Sequence, residues 1–189
     1  MMCFKSDENS IEITSNALRE GKVCILPTDT VYGFSSIIGK SGEKIRKIKG
    51  REENKPFIVL IDSVESVKKL SDQEIPQELL KFWPGPLTII LECNESFKTE
   101  SGYETVAVRC PGEEWLRSVI RETGYPIYST SVNRSGNPVL TKESEIIEEF
   151  LPEVELIVRD GDSESSVPST IVKLEEGGWK VLRKGAVSL

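Results

Sequence analysis

The chain has 189 residues, of which 38% are hydrophobic and 29% are charged, and these values are typical of one globular domain. Lys and Arg total 24 against 31 Asp and Glu, and the net charge of −7 disfavours broad, nonspecific binding to nucleic acid. No apolar stretch approaches the ~20 residues of a membrane-spanning helix, and the acidic N-terminus lacks the apolar segment of a secretory signal, so we expect a cytoplasmic protein with no membrane partner.

Short apolar runs alternate with amphipathic segments along the chain, which favours an α/β domain. Helical spacing of apolar residues predicts five helices, over 11–19, 44–49, 64–70, 76–82 and 115–120. Gly21, Gly50 and Gly124 are the stop signals of three of them. Short aliphatic runs predict strands over 23–26, 57–61, 87–91, 106–108, 127–129, 156–158, 171–174 and 181–182.

Polar segments follow several of these strands, at the positions where open α/β sheets place ligands. Segment 27–33 (PTDTVYG) is either a turn stabilised by its own hydroxyls or a loop that presents Thr28 and Thr30 to a polar ligand. Segment 129–136 (STSVNRSG) is either a polar loop or a nucleotide cradle built from hydroxyls, amides and backbone donors. Segment 168–170 (PST) again places hydroxyls at the start of an apolar strand.

Basic residues stand at the ends of several predicted elements. Lys49 and Arg51 flank a glycine, an arrangement that suits either a solvated helix end or the capture of a phosphate. Arg109 ends a strand, where it can form a surface ion pair or a two-pronged contact to a carboxylate. Arg183 lies in a basic, glycine-containing turn near the end of the chain. Segment 83–86 (WPGP) is read as a rigid scaffold turn.

Several classes of site are absent from the sequence. It contains no Walker loop, no G-x-G-x-x-G fingerprint and no histidine, which excludes a histidine relay and His-based zinc sites. Cys3, Cys24, Cys93 and Cys110 have no metal-binding spacing. Two distant disulfides and four reduced thiols both fit this spacing, and reduced, mostly buried thiols are favoured in a cytosolic protein.

Taken together and in chain order, these segments resemble the YrdC family of threonylcarbamoyl-AMP synthases. The matching segments are 27–33, 49–51, 83–88, 106–111, 131–136, 168–170 and 182–185. The resemblance implies an α/β fold with a twisted, open, mixed sheet flanked by helices and a deep concave ligand site. It also implies a single domain over residues 1–189, without the second domain that some relatives append.

The resemblance implies a role for ten residues. Those expected around threonine are Thr28, Arg109, Ser129 and Ser169. Those expected around ATP are Lys49, Arg51, Thr105, Ser131, Asn133 and Arg183. Lys49 and Arg51 are expected to act in catalysis by offsetting phosphate charge, and Mg²⁺ is expected as a cofactor held mainly by the ATP phosphates, with no metal site on the protein itself.

The implied activity joins L-threonine, bicarbonate and ATP into threonylcarbamoyl-AMP and pyrophosphate, for the threonylcarbamoyladenosine (t6A) modification of tRNA. A downstream transferase complex is the expected partner, and direct binding of RNA or tRNA is left open. Three features depart from the family pattern: Glu52 and Glu53 follow the Lys-x-Arg element where proline is common, Val132 stands where alanine is commoner, and strand 57–61 carries no histidine.

Two alternatives accompany this interpretation. The first is an RNA-binding or ribosome-assembly module that uses the same groove, and the net charge of −7 counts against it. The second is a carbamoyl-transfer module like the one inside hydrogenase-maturation proteins. That module normally sits in a much longer chain with acylphosphatase and zinc-finger elements, which this sequence does not supply.

Overall fold

The computed structural model describes residues 1–52, 56–163 and 167–189. The strands in these ranges are β1 (Met2–Phe4), β2 (Cys24–Leu26), β3 (Gly33–Ile37), β4 (Ile58–Leu60), β5 (Leu87–Glu92), β6 (Thr105–Arg109), β7 (Ile127–Ser131), β8 (Leu156–Arg159), β9 (Thr170–Glu175) and β10 (Gly178–Arg183). The α-helices are α1 (Ser10–Arg19), α2 (Gly42–Lys49), α3 (Gln77–Leu80), α4 (Glu95–Ser101), α5 (Glu114–Thr123) and α6 (Glu143–Phe150), and a 3-10 helix spans Val64–Lys69.

The strands form one sheet in the order β1-β8-β2-β3-β7-β4-β6-β5-β9-β10. The parallel pairs are β1–β8, β2–β8, β4–β6 and β5–β9. The antiparallel pairs are β2–β3, β3–β7, β4–β7, β5–β6 and β9–β10. This arrangement confirms the predicted α/β class and the open, mixed sheet flanked by helices.

Side chains alternate between the two faces of each strand, so each face of the sheet collects one set of residues. On the first face, Phe34 of β3 packs with α2 and α6, and its ring meets that of Phe150 edge to face at 4.9 Å. Further along the same face, Val59 of β4 and Val108 of β6 pack with the 3-10 helix, α3 and α4. Helices therefore cover this face across most of its width.

The second face is covered over one half. Helices α1 and α5 pack there against β2 and β8. Leu116, Val119 and Ile120 form the buried face of α5, which Gly124 ends in the left-handed conformation at φ 84°. Beyond these helices, β4, β6 and β7 direct side chains into an open cavity rather than against another layer. The uncovered half of this face is the position of the site.

Most predicted elements occur in the structure, with boundaries shifted by a few residues. The predicted helix over 64–70 is a 3-10 helix, and α3 is shorter than the predicted 76–82. Four elements were not predicted: β1, β3, α4 and α6. Ser35 and Ser36 interrupt the apolar pattern of β3, yet both are fully buried because the strand lies inside the sheet. Within the described residues, no helix is long and apolar enough to span a bilayer.

Candidate active site

A cavity of about 350 Å³ lies on the uncovered half of the second face. Its floor is apolar and includes Ile58, Leu60, Ile90, Ala107 and Ile171. Seven of the ten predicted site residues line it: Thr28, Arg51, Arg109, Ser129, Ser131, Ser169 and Arg183. An apolar floor with converging hydroxyls and guanidinium groups is typical of a site for a small anionic ligand. Three arginines line this cavity although the chain as a whole has a net charge of −7, so positive charge is concentrated here.

Arg109 ends β6 and is only 5% exposed. Its Nε donates to the carbonyl of Gly85 at 3.1 Å, and one terminal nitrogen donates to Thr30 Oγ1 at 3.0 Å. The other terminal nitrogen donates to Asp29 Oδ1 at 2.5 Å, within an ion pair. A guanidinium has five N–H groups, so one on each terminal nitrogen remains. These two groups suit the two oxygens of a carboxylate.

The turn at 83–86, predicted to be scaffold, contributes directly to this arrangement. Gly85 accepts the Arg109 bond through its carbonyl, and its own N–H donates to the carbonyl of Cys110 at 2.8 Å. A Cβ at Gly85 would lie 2.6 Å from the backbone oxygen of Phe82, so only glycine fits this turn without movement. The turn therefore supports Arg109 as well as the entry into β5.

Three predicted hydroxyls differ in how far the protein already satisfies them. Thr28 Oγ1 donates to the Val31 carbonyl at 2.8 Å and accepts from the Thr30 N–H at 3.0 Å, as expected of a self-stabilised turn. Ser169 Oγ lies 2.8 Å from Thr88 Oγ1. Ser129 Oγ makes no hydrogen bond within the described part of the chain. Its hydroxyl is therefore ready for a ligand.

Gly33 makes room for the Ser129 hydroxyl. A Cβ at Gly33 would lie 2.6 Å from Ser129 Oγ, well inside van der Waals contact. Gly33 and Ser129 are diagonal neighbours across the β3–β7 pair, in which Gly33 opposes Ser131 and Ser35 opposes Ser129. The glycine of the PTDTVYG segment thus serves close packing between two strands that both line the cavity.

Arg183 lies beside the Ser169 side of the cavity. It donates to the Ser169 carbonyl from Nε at 3.0 Å and from a terminal nitrogen at 2.8 Å, and to Ser169 Oγ at 3.1 Å. Burial lowers the pKa of Arg183, and the nearby positive charge of Arg109 lowers it further. No carboxylate pairs with Arg183 in residues 1–52, 56–163 and 167–189. Its charge is thus available to an anion.

Lys49 is 3% exposed and lies beside segment 131–137 rather than on the cavity lining. Its Nζ donates to the Ser131 carbonyl, to the Asn133 carbonyl at 2.8 Å and to Asn133 Oδ1 at 2.9 Å. These three acceptors match the three hydrogens of an ammonium group. Burial lowers the pKa of Lys49 to about 7, and the charge of Arg51 contributes to the decrease. Asn133 and Ser131 are joined through Ser131 Oγ, which donates to Asn133 Oδ1 at 2.8 Å.

Arg134, which was not predicted as a site residue, anchors the same segment from the other side. It pairs with Glu149 at 2.8 Å and Glu153 at 2.5 Å, and its guanidinium lies 4.6 Å from the centre of the Phe150 ring. The sequence shows a cationic residue in a polar loop at this position. It does not show the acidic partners of Arg134, because these lie 15 and 19 residues further along the chain, on and after α6. Arg134 and Lys49 together hold both sides of the loop.

Arg51 follows α2 and reaches the cavity beside Phe57. Its guanidinium lies 5.4 Å from the Phe57 ring centre, and that of Arg46 lies 4.6 Å from the same ring. Burial lowers the pKa of Arg51, and the charge of Arg46 adds to this effect. The Glu52 carbonyl accepts a hydrogen bond from Arg46 at 3.0 Å, whereas Glu53 lies outside the described residues.

Thr105 is the one predicted residue placed apart from the others. It starts β6, whereas Arg109 ends the strand, and four residues of extended chain span about 13 Å. Thr105 lies beside a separate, much smaller cavity lined by Phe57, Phe97, Tyr103 and Tyr128, among others. Thr105 lies on the same face of β6 as Ala107 and Arg109, but at the opposite end of the strand from Arg109, and it is not among the residues that line the main cavity.

The cysteines are free thiols, and three of them are buried. Burial raises the pKa of Cys24 to about 12 and that of Cys110 to about 11, so both are protonated at neutral pH. Within the described residues, no group of three or more His, Cys, Asp or Glu side chains is placed to hold a metal ion.

Comparison with known proteins identifies the family. The profile of the Sua5/YciO/YrdC family, described as telomere recombination, matches residues 16–185. Threonylcarbamoyl-AMP synthases of Pyrococcus abyssi and Bacillus subtilis are each 35% identical, over 97% and 98% of this chain. The chain spans about half the length of these curated relatives, 56% of each. The crystal structure of P. abyssi Sua5 complexed with L-threonine has a TM-score of 0.85 and 36% identity, over 95% of this chain and 55% of that one. The chain belongs to the Sua5/YciO/YrdC family.

Proposed function

We propose that this protein is a threonylcarbamoyl-AMP synthase, which makes threonylcarbamoyl-AMP and pyrophosphate from L-threonine, bicarbonate and ATP. The observation that carries the proposal is the buried Arg109, which retains two N–H groups and lines a cavity that is also lined by hydroxyls and further arginines. The names of the relatives support it, as does the L-threonine complex of the P. abyssi protein.

Threonine is proposed to bind at the Arg109 end. Its carboxylate would accept the two remaining guanidinium N–H groups, since a planar fork matches two carboxylate oxygens. Its amine and hydroxyl would then lie near Ser129, whose Oγ has no partner within the described residues, and near Thr28 and Ser169. The apolar floor suits the threonine methyl group.

The triphosphate is proposed to bind along Arg51, Arg183 and segment 131–137. The two guanidinium groups reach the cavity, and backbone groups and hydroxyls of the segment add hydrogen-bonding atoms. Lys49 would act at this end from beneath the segment, through the oxygens to which its ammonium group donates. We expect Mg²⁺ to enter with ATP, coordinated mainly by phosphate oxygens, as part of the substrate.

The proposed chemistry requires positioning and charge compensation but no protein nucleophile. The threonine nitrogen attacks the bicarbonate carbon, and water leaves to give a carbamate. A carbamate oxygen then attacks the α-phosphorus of ATP, and pyrophosphate leaves. Because a carbamate decomposes in water, the site must keep it dry and close to the phosphate. Arg51 and Arg183 would stabilise charge as it moves onto pyrophosphate.

The test is incubation with ATP, Mg²⁺, threonine and bicarbonate, followed by detection of the adenylate by mass and of pyrophosphate by enzyme-coupled assay. We expect pyrophosphate release only when both threonine and bicarbonate are present. Valine is the control amino acid, because it lacks the hydroxyl and would leave its partners unpaired. Release with ATP alone, or no release under any condition, would favour a binding module.

If the adenylate forms, a transferase that modifies tRNA is the expected consumer, since a mixed carbamic–phosphoric anhydride is an activated acyl donor. A filter-binding assay over a range of salt concentrations tests direct binding of tRNA to this chain.

A further inference from the structure

A second cavity, of about 320 Å³, adjoins the first and shares Thr28, Thr30 and Tyr32 with it. Asp29 lines the second cavity and is not part of the lining of the first. Its side chain is 17% exposed, whereas that of its partner Arg109 is 6% exposed. The Asp29 carboxylate therefore forms part of the wall that separates the threonine end of the site from a space open to small solutes.

Three acceptors hold the Arg109 guanidinium, and Asp29 is the charged one. The Gly85 carbonyl and Thr30 Oγ1 are neutral acceptors at 3.1 and 3.0 Å, while Asp29 Oδ1 lies at 2.5 Å. A charge-assisted hydrogen bond is roughly twice as strong as a neutral one. Asp29 is therefore the main restraint on the orientation of the guanidinium plane.

Gly112 gives the Asp29 carboxylate the room that this contact needs. A Cβ at position 112 would lie 2.9 Å from Asp29 Oδ2, at the far end of the aspartate side chain. The backbone of Gly112 does not have a positive φ, so alanine is compatible with its conformation. Gly112→Ala therefore displaces the carboxylate without removing it.

We propose that Asp29 is a positioning residue for the amino-acid substrate: it holds Arg109 so that the two remaining N–H groups face the substrate carboxylate. This inference rests on the proposed function. Asp29 contacts Arg109 and acts through it. Its charge also offsets part of the positive charge of Arg109, so recognition of the substrate carboxylate depends on the geometry of the two N–H groups more than on net attraction.

The experiment is calorimetric titration of L-threonine and of ATP into the full chain and its variants. Asp29→Ala is expected to weaken threonine binding by roughly 10- to 100-fold, the size expected for the loss of a hydrogen bond between charged groups that orients the guanidinium. ATP affinity should stay within about twofold, which also shows that the variant is folded. Asp29→Asn keeps an oxygen acceptor without the charge, and its threonine affinity is expected to lie between those of the wild type and Asp29→Ala.

Formate supplies a readout that a purely structural role would not move. It is small enough to enter the second cavity and can occupy the place of the missing carboxylate in Asp29→Ala. We expect formate to restore threonine affinity to that variant, and not to the wild type titrated at the same formate concentration. Gly112→Ala should weaken threonine binding while retaining the carboxylate, so formate should not restore it.

The matched control is Asp62→Asn. Asp62 pairs with Arg121 at 3.6 Å outside both cavities, and its loss should leave threonine binding unchanged. The inference is overturned if Asp29→Ala, or Asp29→Asn should the alanine variant not fold, binds threonine as tightly as the wild type. It is also overturned if formate only competes with threonine in Asp29→Ala. Failure of the wild type to bind threonine would instead overturn the proposed function.

Discussion

Arg109 and Lys49 are both almost completely buried cations near one cavity, but their surroundings differ. Arg109 has a carboxylate partner, Asp29, and retains two N–H groups. Lys49 has three neutral oxygen acceptors for three hydrogens, and burial lowers its pKa to about 7. The arginine thus keeps free donors beside its carboxylate partner, whereas the donors of the lysine are all used and the lysine can lose its proton.

This difference indicates two ways of using a buried cation. A partnered guanidinium keeps its charge and offers a fixed two-point contact to a ligand. A buried ammonium group that donates to backbone oxygens organises a loop, and its contribution depends on pH. The Arg109 end is accordingly suited to recognition, and the Lys49 end to shaping segment 131–137. Each prediction below tests one side of this contrast.

The largest effect is expected from Arg109→Lys. A lysine cannot form the two parallel bonds to a carboxylate, so threonine affinity should fall by about 100-fold while ATP affinity remains nearly intact. Because the carboxylate is unchanged during the reaction, much of the loss should appear in KM. Calorimetry and steady-state rates measure both quantities. If Arg109→Lys lost ATP binding and retained threonine binding, the proposed threonine and ATP ends of the cavity would have to be exchanged.

A smaller effect, of the opposite type, is expected from Lys49→Ala. The substitution leaves the oxygens of Ser131 and Asn133 without this donor and loosens the segment beside the proposed triphosphate position. We expect kcat to fall by roughly tenfold or more, with threonine affinity changed much less. Pre-steady-state and steady-state rates separate the effect on kcat from the effect on threonine affinity. Equal losses in threonine binding and kcat would show that Lys49 serves the whole cavity.

The pH dependence of stability distinguishes the two cations further. The ordinary lysine pKa is 10.5, and the folded value is about 7, so between these values the unfolded chain binds more protons than the folded one. Wild-type stability should therefore rise relative to Lys49→Met above pH 7, by roughly 2–3 kcal/mol at pH 9. Urea denaturation at pH 6 and pH 9 measures this. Parallel behaviour of the two proteins would show that the three oxygens keep the proton on Lys49.

A more local effect is expected from Gly33→Ala. The added Cβ would lie 2.6 Å from Ser129 Oγ and must displace this hydroxyl. We expect threonine affinity to fall by about 5- to 10-fold, the cost of one displaced hydrogen-bonding group, with ATP affinity little changed. Gly178→Ala is the matched control, since a Cβ there meets nothing within 4 Å. If both variants bind threonine like the wild type, Ser129 does not contact the amino acid.

The smallest effect is expected from replacing the cysteines. Their thiols are free, and burial raises the pKa of each, so none is a reactive thiolate at neutral pH. A variant with all four replaced by alanine or serine should form the adenylate at nearly the wild-type rate once allowance is made for its folded fraction. A folded variant without activity would show that a thiol takes part in the reaction, in addition to Arg109 and Lys49.

Elements with a regular apolar period were predictable, and the others were not. Helix α5 has three buried apolar residues on one face and a terminal glycine, so the sequence alone defines it within a few residues. Strand β3 carries two buried serines and was read as part of a loop, because its burial results from neighbours on both sides of the sheet. Of the ten predicted site residues, seven line the cavity, whereas Lys49, Thr105 and Asn133 do not.

Local patterns by themselves determined the class of the fold and most elements, because periodicity and turn chemistry act over a few positions. The site residues were predicted from the resemblance, which depends on motifs in order from residue 27 to residue 185. Only the tertiary structure decided the partners of the charged groups. Asp29 and Arg109 are 80 residues apart, and Lys49 and Asn133 are 84 apart. Asp29 lies in the loop between β2 and β3, and Asn133 follows β7; the strand order β2-β3-β7-β4-β6 brings these loops to their partners, and such strand order depends on the packing of the whole domain.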